Sequence, residues 1–182
     1  MTLSDQLDEF YHQYNIPPNG GVNDRLFEVP LPLLTLKLPN FFWRKNMLYI
    51  HDLEHILNQQ DVSWKGEMFI ASWEISTGFW KNFPVIIFPL WTMGWGLWKH
   101  PSSVYRGFRK GHFDMGISNL NIDKEKLLTM NLSQLKELTQ KKRRNTSRFH
   151  LFFKLFCWTF ASQLVFLAPA LLVVILVASL FH

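Results

Sequence analysis

Apolar and polar positions follow the period of an α-helix in several segments of the N-terminal half. Over residues 4–15 large side chains recur every three or four residues, and Ser4 or Asp5 can cap the helix that this pattern predicts. The prolines and glycines of NIPPNGGVND end it, because they cannot continue a helix. Residues 27–40 carry three prolines among apolar residues, which predicts extended chain with an edge hairpin.

Two further helices are predicted next along the chain. The first covers residues 41–59, where the apolar side chains cluster on one side of the helical wheel. On an adjoining arc of that wheel lie His51, Asp52 and His55, so an imidazole pair and a carboxylate emerge together at the edge of the buried face. After the polar break NQQD, the second helix is predicted over residues 63–80.

The segment 83–98 has no charged residue and lies between Lys81 and Lys99. Its sixteen residues would extend only about 24 Å as a helix, less than the roughly 30 Å of a bilayer's hydrocarbon core. It could be a buried core helix, a re-entrant element or a marginal span. Its two prolines and two glycines favour a broken helix that packs on the core or dips into the membrane interface.

More polar sequence follows this segment. Residues 100–122 are predicted to be loop with a short helix, and the basic groups of YRGFRKG within it are expected to face solvent or lipid headgroups. Residues 123–142 are predicted to form one polar helix with a single leucine stripe.

The strongest pattern is an uncharged run of 27 residues, 155–181. As a helix it would be about 40 Å long, which is enough for a tilted transmembrane helix. The basic run KKRRNTSR at 141–148 immediately precedes it and is typical of a cytoplasmic flank. The sequence therefore predicts a single-pass membrane protein whose globular part lies on the cytoplasmic side, at the inner membrane if the protein is bacterial.

Composition and charge agree with a lipid environment. The chain contains 17 Phe and 8 Trp, side chains that belong in cores, lipid-facing surfaces and membrane interfaces. Residues 1–98 carry 6 Lys/Arg against 10 Asp/Glu, a net charge of −4, and residues 99–182 carry 13 against 4, a net charge of +9. No base-reading motif accompanies the basic half, so a nucleic-acid partner is not expected.

The titratable residues of the predicted helix pair form the pattern His51-Asp52-x-x-His55, followed after eleven residues by Glu67. Histidines four apart on a helix lie one turn apart, close enough to bind one metal ion, and a glutamate from the next helix could complete the site. Asp52 could reach the ion, a bound water or a neighbouring histidine. Because Cys157 is the single cysteine, a thiolate cluster is excluded and any metal must be held by nitrogen and oxygen.

Simpler interpretations of the same residues stay open. Histidines four apart are common on helices that bind no metal, and in that case this stretch is only a polar helix edge. The pattern is not the HExxH of zinc proteases, since position 52 is Asp, and Glu54 is expected to be solvated. Glu74 shares a helical face with Glu67 and is expected to support the ligands from outside the coordination sphere or to lie at the surface.

The spacing HDxxH-x11-E resembles the signature of the ubiquinone (coenzyme Q) biosynthesis protein 4 family. The stretches YNIPPNGG and YRGFRKG are also similar to segments of its short bacterial members, and the similarity covers about residues 10–120. The resemblance implies a helical, membrane-associated protein with an apolar cavity for a polyprenyl chain. It also implies that His51, Asp52, His55 and Glu67 hold a divalent metal ion, zinc first among zinc, manganese, cobalt and ferrous iron.

The activity implied by the resemblance is removal of the C1 carboxyl of a polyprenylated hydroxybenzoate-type ring, leaving a hydroxyl there. A metal-dependent oxidative decarboxylase is thus one candidate, with other quinone-pathway enzymes as further partners. The alternative is a non-catalytic prenyl-lipid-binding or scaffold protein that organises those enzymes. A membrane di-iron oxidase is disfavoured, because such enzymes need more histidine motifs than the single HDxxH of this chain.

Together these patterns predict an all-α protein, a helical single domain with a C-terminal transmembrane helix. Residues 1–122 would form the metal- and lipid-binding domain. Residues 123–150 would form a polar amphipathic helix and a basic juxtamembrane segment, and residues 151–182 the membrane anchor.

Overall fold

The computed structural model describes residues 1–30, 35–79, 82–140 and 148–180. It is 74% helical, with eight α-helices and a two-stranded sheet among the described residues, which confirms the all-α prediction. The chain forms two compact units. The first unit comprises Met1–Gln59 with Asn121–Glu137, and the second comprises Gln60–Leu120 with Leu138–His182. The division at residues 122 and 150 stays a prediction.

The first unit begins with helix α1, Leu3–Gln13. Its cap is Thr2 rather than Ser4 or Asp5, because the Thr2 hydroxyl accepts from the Asp5 backbone N–H while the Asp5 carboxylate accepts from that of Thr2. This reciprocal pair satisfies two of the donors that a helix N-terminus leaves unbonded. Leu3, Leu7, Phe10 and Tyr11 form the buried face of α1.

A turn and a hairpin follow α1, as the proline pattern predicts. Pro18–Gly21 forms a short 3-10 turn in which Asn19 and Gly20 have positive φ. Strands β1 (Leu26–Pro30) and β2 (Thr35–Pro39) pair antiparallel. The residues 31–34 between them lie outside the described chain.

The rest of the first unit is helical. Helix α2 (Phe42–Asn58) packs on α1, and so does α6 (Lys124–Thr129). The single helix predicted over 123–142 is wrong, since α6 and α7 (Leu132–Thr139) are separate. Asn131 restarts the helix, because its side chain and that of Gln134 each accept from the other's backbone N–H. The break changes the helical phase, so the leucines do not form one buried stripe.

The second unit is built around helix α3, Trp64–Thr77, which is buried on nearly every side. Ser63 caps its N-terminus, and Gly78 ends it in the left-handed conformation, with a φ of 108°. Trp80, where the helix was predicted to end, lies outside the described residues. Two further helices, α4 (Ile87–Lys99) and α5 (Pro101–Phe113), pack against α3.

Residues 100–122 were predicted to be loop with a short helix, and the helix, α5, has 13 residues and includes the stretch YRGFRKG. Gly107 and Gly111 read as loop residues in sequence, but they lie one turn apart on the face of α5 that packs on α3. A Cβ atom at Gly107 would lie 2.2 Å from the Phe69 carbonyl oxygen, and one at Gly111 would lie 2.5 Å from that of Trp73. Glycine at these positions therefore allows close approach of two helices, while Arg106 and Arg109 stay exposed.

Helix α8, Arg148–Leu180, completes the second unit. The stretch Phe149–Leu180 is long and apolar enough to cross a membrane, and its most apolar 18-residue window is not buried against the described chain. Helix α8 begins at Arg148, before the uncharged run 155–181, and therefore includes Lys154. The Lys154 ammonium donates to the Ser76 carbonyl oxygen at 2.7 Å. The positive charge of Lys154 is favourable at this position, because the C-terminal end of helix α3 carries a partial negative charge. Residues 141–147 of the basic run lie outside the described residues.

Candidate metal centre

Helix α2 brings His51 and His55 together, as their spacing predicts. The Nε2 atoms of the two rings are 3.3 Å apart, and the ring centroids are 4.9 Å apart at an interplanar angle of 74°. Two nitrogens bound to one tetrahedral ion at about 2.0–2.1 Å would be separated by about 3.4 Å. The pair thus has the separation that one metal ion would impose. The same distance also suits a hydrogen bond between two neutral imidazoles.

The two histidines differ in their surroundings. His55 is buried, with the Phe10 ring centroid 5.9 Å from its own, whereas His51 is only partly buried. Packing against α1 therefore restrains the His55 ring. For both Nε2 atoms to bind one ion, each ring must carry its proton on Nδ1.

Asp52 is bonded to the first helix and lies close to the turn that follows it. The Tyr11 hydroxyl donates to Asp52 Oδ2 at 2.9 Å, and both side chains are buried. Burial and the neighbouring carboxylate raise the pKa of Tyr11 above its ordinary value, so the phenol stays protonated and keeps donating at neutral pH.

Gly20 lies close to the same carboxylate. A Cβ atom at Gly20 would lie 2.9 Å from Asp52 Oδ2 and 3.0 Å from Leu48, and its φ of +69° is one that glycine adopts at no steric cost. Tyr11 and Gly20 are thus parts of the site that the motif did not reveal. The signal for Gly20 was its place in YNIPPNGG, whereas Tyr11 looked like one more apolar position of α1.

The expectation that Glu54 is solvated is wrong, because its side chain has an exposure of 0%. Helix α2 is buried over more of its surface than the predicted apolar stripe, with His55, Leu57 and Asn58 all buried in its last turn. Asp52 and Glu54 thus place two carboxylates within the buried part of α2, and Arg44 in the first turn of the same helix interacts electrostatically with Asp52. Buried carboxylates favour a nearby cation.

Glu67 and Glu74 lie in the second unit. Glu67 is in the first turn of α3 and is partly buried, while Glu74 lies near the end of the same helix with an exposure of 3%. The roles of Asp52 and Glu67 as ligands beside His51 and His55, and that of Glu74 as a support for the ligands, stay predictions.

Replacing Tyr11 by phenylalanine is expected to loosen Asp52 while leaving the ring in place. The variant loses a buried hydrogen bond to a carboxylate, which contributes about 1.5–3 kcal/mol in proteins. Hydrogen exchange measured by mass spectrometry should show faster exchange of α1 and α2 amides. Tyr14→Phe is the matched control, because Tyr14 is less buried and its ring packs on Phe10. Equal exchange in the two variants would contradict a structural role of the Tyr11 hydroxyl.

Comparisons of this chain with protein-family models, curated proteins and solved structures found no match. The resemblance to the coenzyme Q protein therefore rests on the residues of the chain itself. Four ligand-type side chains carry it, and two of them, His51 and His55, lie with their Nε2 atoms side by side in the first unit.

Proposed function

We propose that the protein binds a divalent metal ion and acts at a membrane on a polyprenylated hydroxybenzoate-type ring, in the biosynthesis of ubiquinone. The observation that carries the metal proposal is the 3.3 Å separation of His51 Nε2 and His55 Nε2. With Glu67 as third ligand, the set of two imidazoles and one carboxylate is the kind that leaves a metal with an open position. Zinc is the first choice of metal, followed by manganese, cobalt and ferrous iron.

The position of Glu67 in the motif supports it as the third ligand. Glu67 follows the second histidine, His55, after eleven residues and lies in the first turn of α3. This is the spacing HDxxH-x11-E on which the resemblance rests. A partly buried glutamate there offers a carboxylate oxygen, which zinc accepts beside imidazole nitrogen.

The chain's own residues would bind and orient the ring. When bound, the ion would supply Lewis acidity toward a carboxylate or phenolate oxygen of the substrate. The Tyr11 hydrogen bond orients the Asp52 carboxylate, which would support a ligand or bind the ion itself. In the net reaction, one ring carboxylic acid and half a molecule of dioxygen would give one phenol and one carbon dioxide.

The membrane part of the proposal rests on α8. A prenylated substrate partitions into the bilayer, and a protein anchored there meets it without extracting it into water. The run of basic residues at 141–148 favours a cytoplasmic position for the part of the chain that precedes α8. Other enzymes of the quinone pathway are the expected protein partners.

Replacing Glu67 by glutamine tests the catalytic proposal. Losing a metal ligand should lower activity by at least the roughly 10–100-fold seen when residues supporting a ligand are removed. The assay follows labelled carbon dioxide released from a carboxyl-labelled prenyl hydroxybenzoate in proteoliposomes supplied with dioxygen. Glu9→Gln, an exposed change on α1, is the control and should retain full activity.

Two outcomes would contradict the proposal. Full activity of Glu67→Gln would exclude Glu67 as a ligand that the reaction needs. A wild-type protein that carries its metal but releases no carbon dioxide would contradict the enzyme assignment, and a lipid-binding or scaffold role would take its place.

A further inference from the structure

Two helices of the second unit combine apolar sequence with exposed apolar surface. On α8 the exposed residues include Phe149, Phe153, Phe156 and Phe160, whose spacing places them on one face of the helix. On α4 the N-terminal residue Ile87 has an exposure of 46%, and no residue from Ile87 to Trp98 is charged. The second unit thus presents apolar surface on α4 as well as on the helix able to cross a membrane.

Helix α4 is hydrogen-bonded to the middle of α8. Gln163 uses both ends of its amide, because Nε2 donates to the Gly94 carbonyl oxygen at 2.9 Å and Oε1 accepts from Trp98 Nε1 at 3.0 Å. A Cβ atom at Gly94 would lie 2.6 Å from the Ser162 carbonyl oxygen. A small residue at the crossing point and polar side chains that bond across it are typical of helix pairs inside membranes.

The length of α8 fixes where this contact lies. A helix of 32 residues extends about 48 Å, and the hydrocarbon core is about 30 Å thick, so the bilayer can slide along it by only about 18 Å, or about 12 residues. Residues 161–168 lie inside the hydrocarbon in every such position. Tilt only increases the part of the helix that is immersed. Ser162, Gln163 and Phe166 contact α4, and all three belong to this interval.

We infer that α4 is a second membrane-embedded element, a re-entrant helix whose exposed face contacts lipid acyl chains beside α8. The inference rests on the proposed crossing of the membrane by α8. Helix α4 has 13 residues and a length of about 20 Å, so it is too short to cross the membrane. In a re-entrant arrangement the chain enters and leaves the membrane on the same side.

The direction of α4 follows from its contacts. Trp98 bonds to Gln163, and Trp91 packs on Phe166, one turn farther along α8, with ring centroids 5.6 Å apart. The start of α4 therefore points toward the later residues of α8. Lys99 closes α4 at the other end, with its ammonium 5.3 Å from the Trp95 ring centroid, which suits a position at the membrane surface. Ile87 is thus the deeper end of the element.

Spin labels at matched positions test this in proteoliposomes of phosphatidylcholine and phosphatidylglycerol. In a Cys157→Ser background, single cysteines replace Ile87 on α4, Leu167 on α8 and Phe113 on α5, residues of similar exposure at 46%, 40% and 36%. Collision of each label with oxygen, which concentrates in lipid, is compared with collision with a water-soluble nickel complex. Labels at 87 and 167 are expected to favour oxygen several-fold, and the label at 113 is expected to favour nickel.

Each alternative result is decisive. A label at 87 that favours nickel while that at 167 favours oxygen overturns the re-entrant helix but leaves the crossing by α8 intact. A label at 87 that meets neither reagent shows that protein covers α4, which overturns the lipid contact. A label at 167 that favours nickel shows that α8 does not cross the membrane, and the membrane part of the proposed function fails together with this inference.

Discussion

The His51→Ala/His55→Ala variant is expected to lose its divalent metal, while the wild-type protein carries close to one equivalent. The variant removes two of the three nitrogen and oxygen ligands in the proposed set, and a single carboxylate in water does not retain a transition metal at low concentration. The measurement is elemental analysis of detergent-purified protein after dialysis against buffer free of added metal. We expect no larger effect from any other substitution in the chain, because the metal content would fall from about one equivalent to none.

The matched control also replaces two histidines by alanine. His12→Ala/His100→Ala changes an exposed residue of α1 and the residue before α5, and its metal content should equal that of the wild type. Equal metal content in the two double variants would contradict the site. If neither wild type nor variant holds metal after refilling with zinc, manganese or ferrous iron, the 3.3 Å contact between the two rings is a hydrogen bond and the metal proposal fails.

Gly107→Ala is expected to destabilise the second unit, although alanine is the better helix former by about 1 kcal/mol. The added Cβ would lie 2.2 Å from the Phe69 carbonyl oxygen and 2.3 Å from Ser72 Oγ. Backbone cannot move aside like a flexible side chain, so α5 must shift away from α3. Overpacking of this kind costs about 1–3 kcal/mol, and this case belongs at the upper end. A loss of about 3 kcal/mol corresponds to a fall in melting temperature of about 6–12 °C.

Thermal unfolding of the detergent-purified protein measures this effect, with Arg106→Ala as the control. Arg106 precedes Gly107 on α5 but is exposed, so its replacement should change the melting temperature little. Hydrogen exchange should locate the loss in α3 and α5. An unchanged or higher melting temperature for Gly107→Ala would show that helix propensity outweighs the contact, and that the two helices are not as close as the Phe69 carbonyl oxygen implies.

The success of the sequence predictions follows from how local each signal is. Helices α1, α2 and α3 were found within a few residues of their bounds, because apolar periodicity, capping residues and glycine stops are read within one or two turns. The hairpin was found from its prolines. The split between α6 and α7 was missed although Asn131 and Gln134 form a capping pair, since the leucine pattern alone suggested continuity.

The errors arose where packing decides the role of a residue. Gly107 and Gly111 have the composition of a loop, and only their contact with α3 shows that they are interface residues of a helix. Glu54 looked like a solvated side chain, and its burial depends on what α2 packs against. Tyr11 was counted as apolar, although its hydroxyl bonds to a carboxylate 41 residues away in the chain.

By itself, the sequence determined the all-α class, the helix able to cross a membrane and the pairing of His51 with His55. Each of these depends on residues within one element, where the period of the helix and the length of an apolar run fix the outcome. Only the tertiary structure decided that Tyr11 bonds to Asp52 with Gly20 close by, that glycines allow α5 to pack closely on α3, and that Gln163 bonds α8 to α4. These contacts join residues far apart in the chain, and their partners are set by the packing of whole elements, which local patterns do not encode.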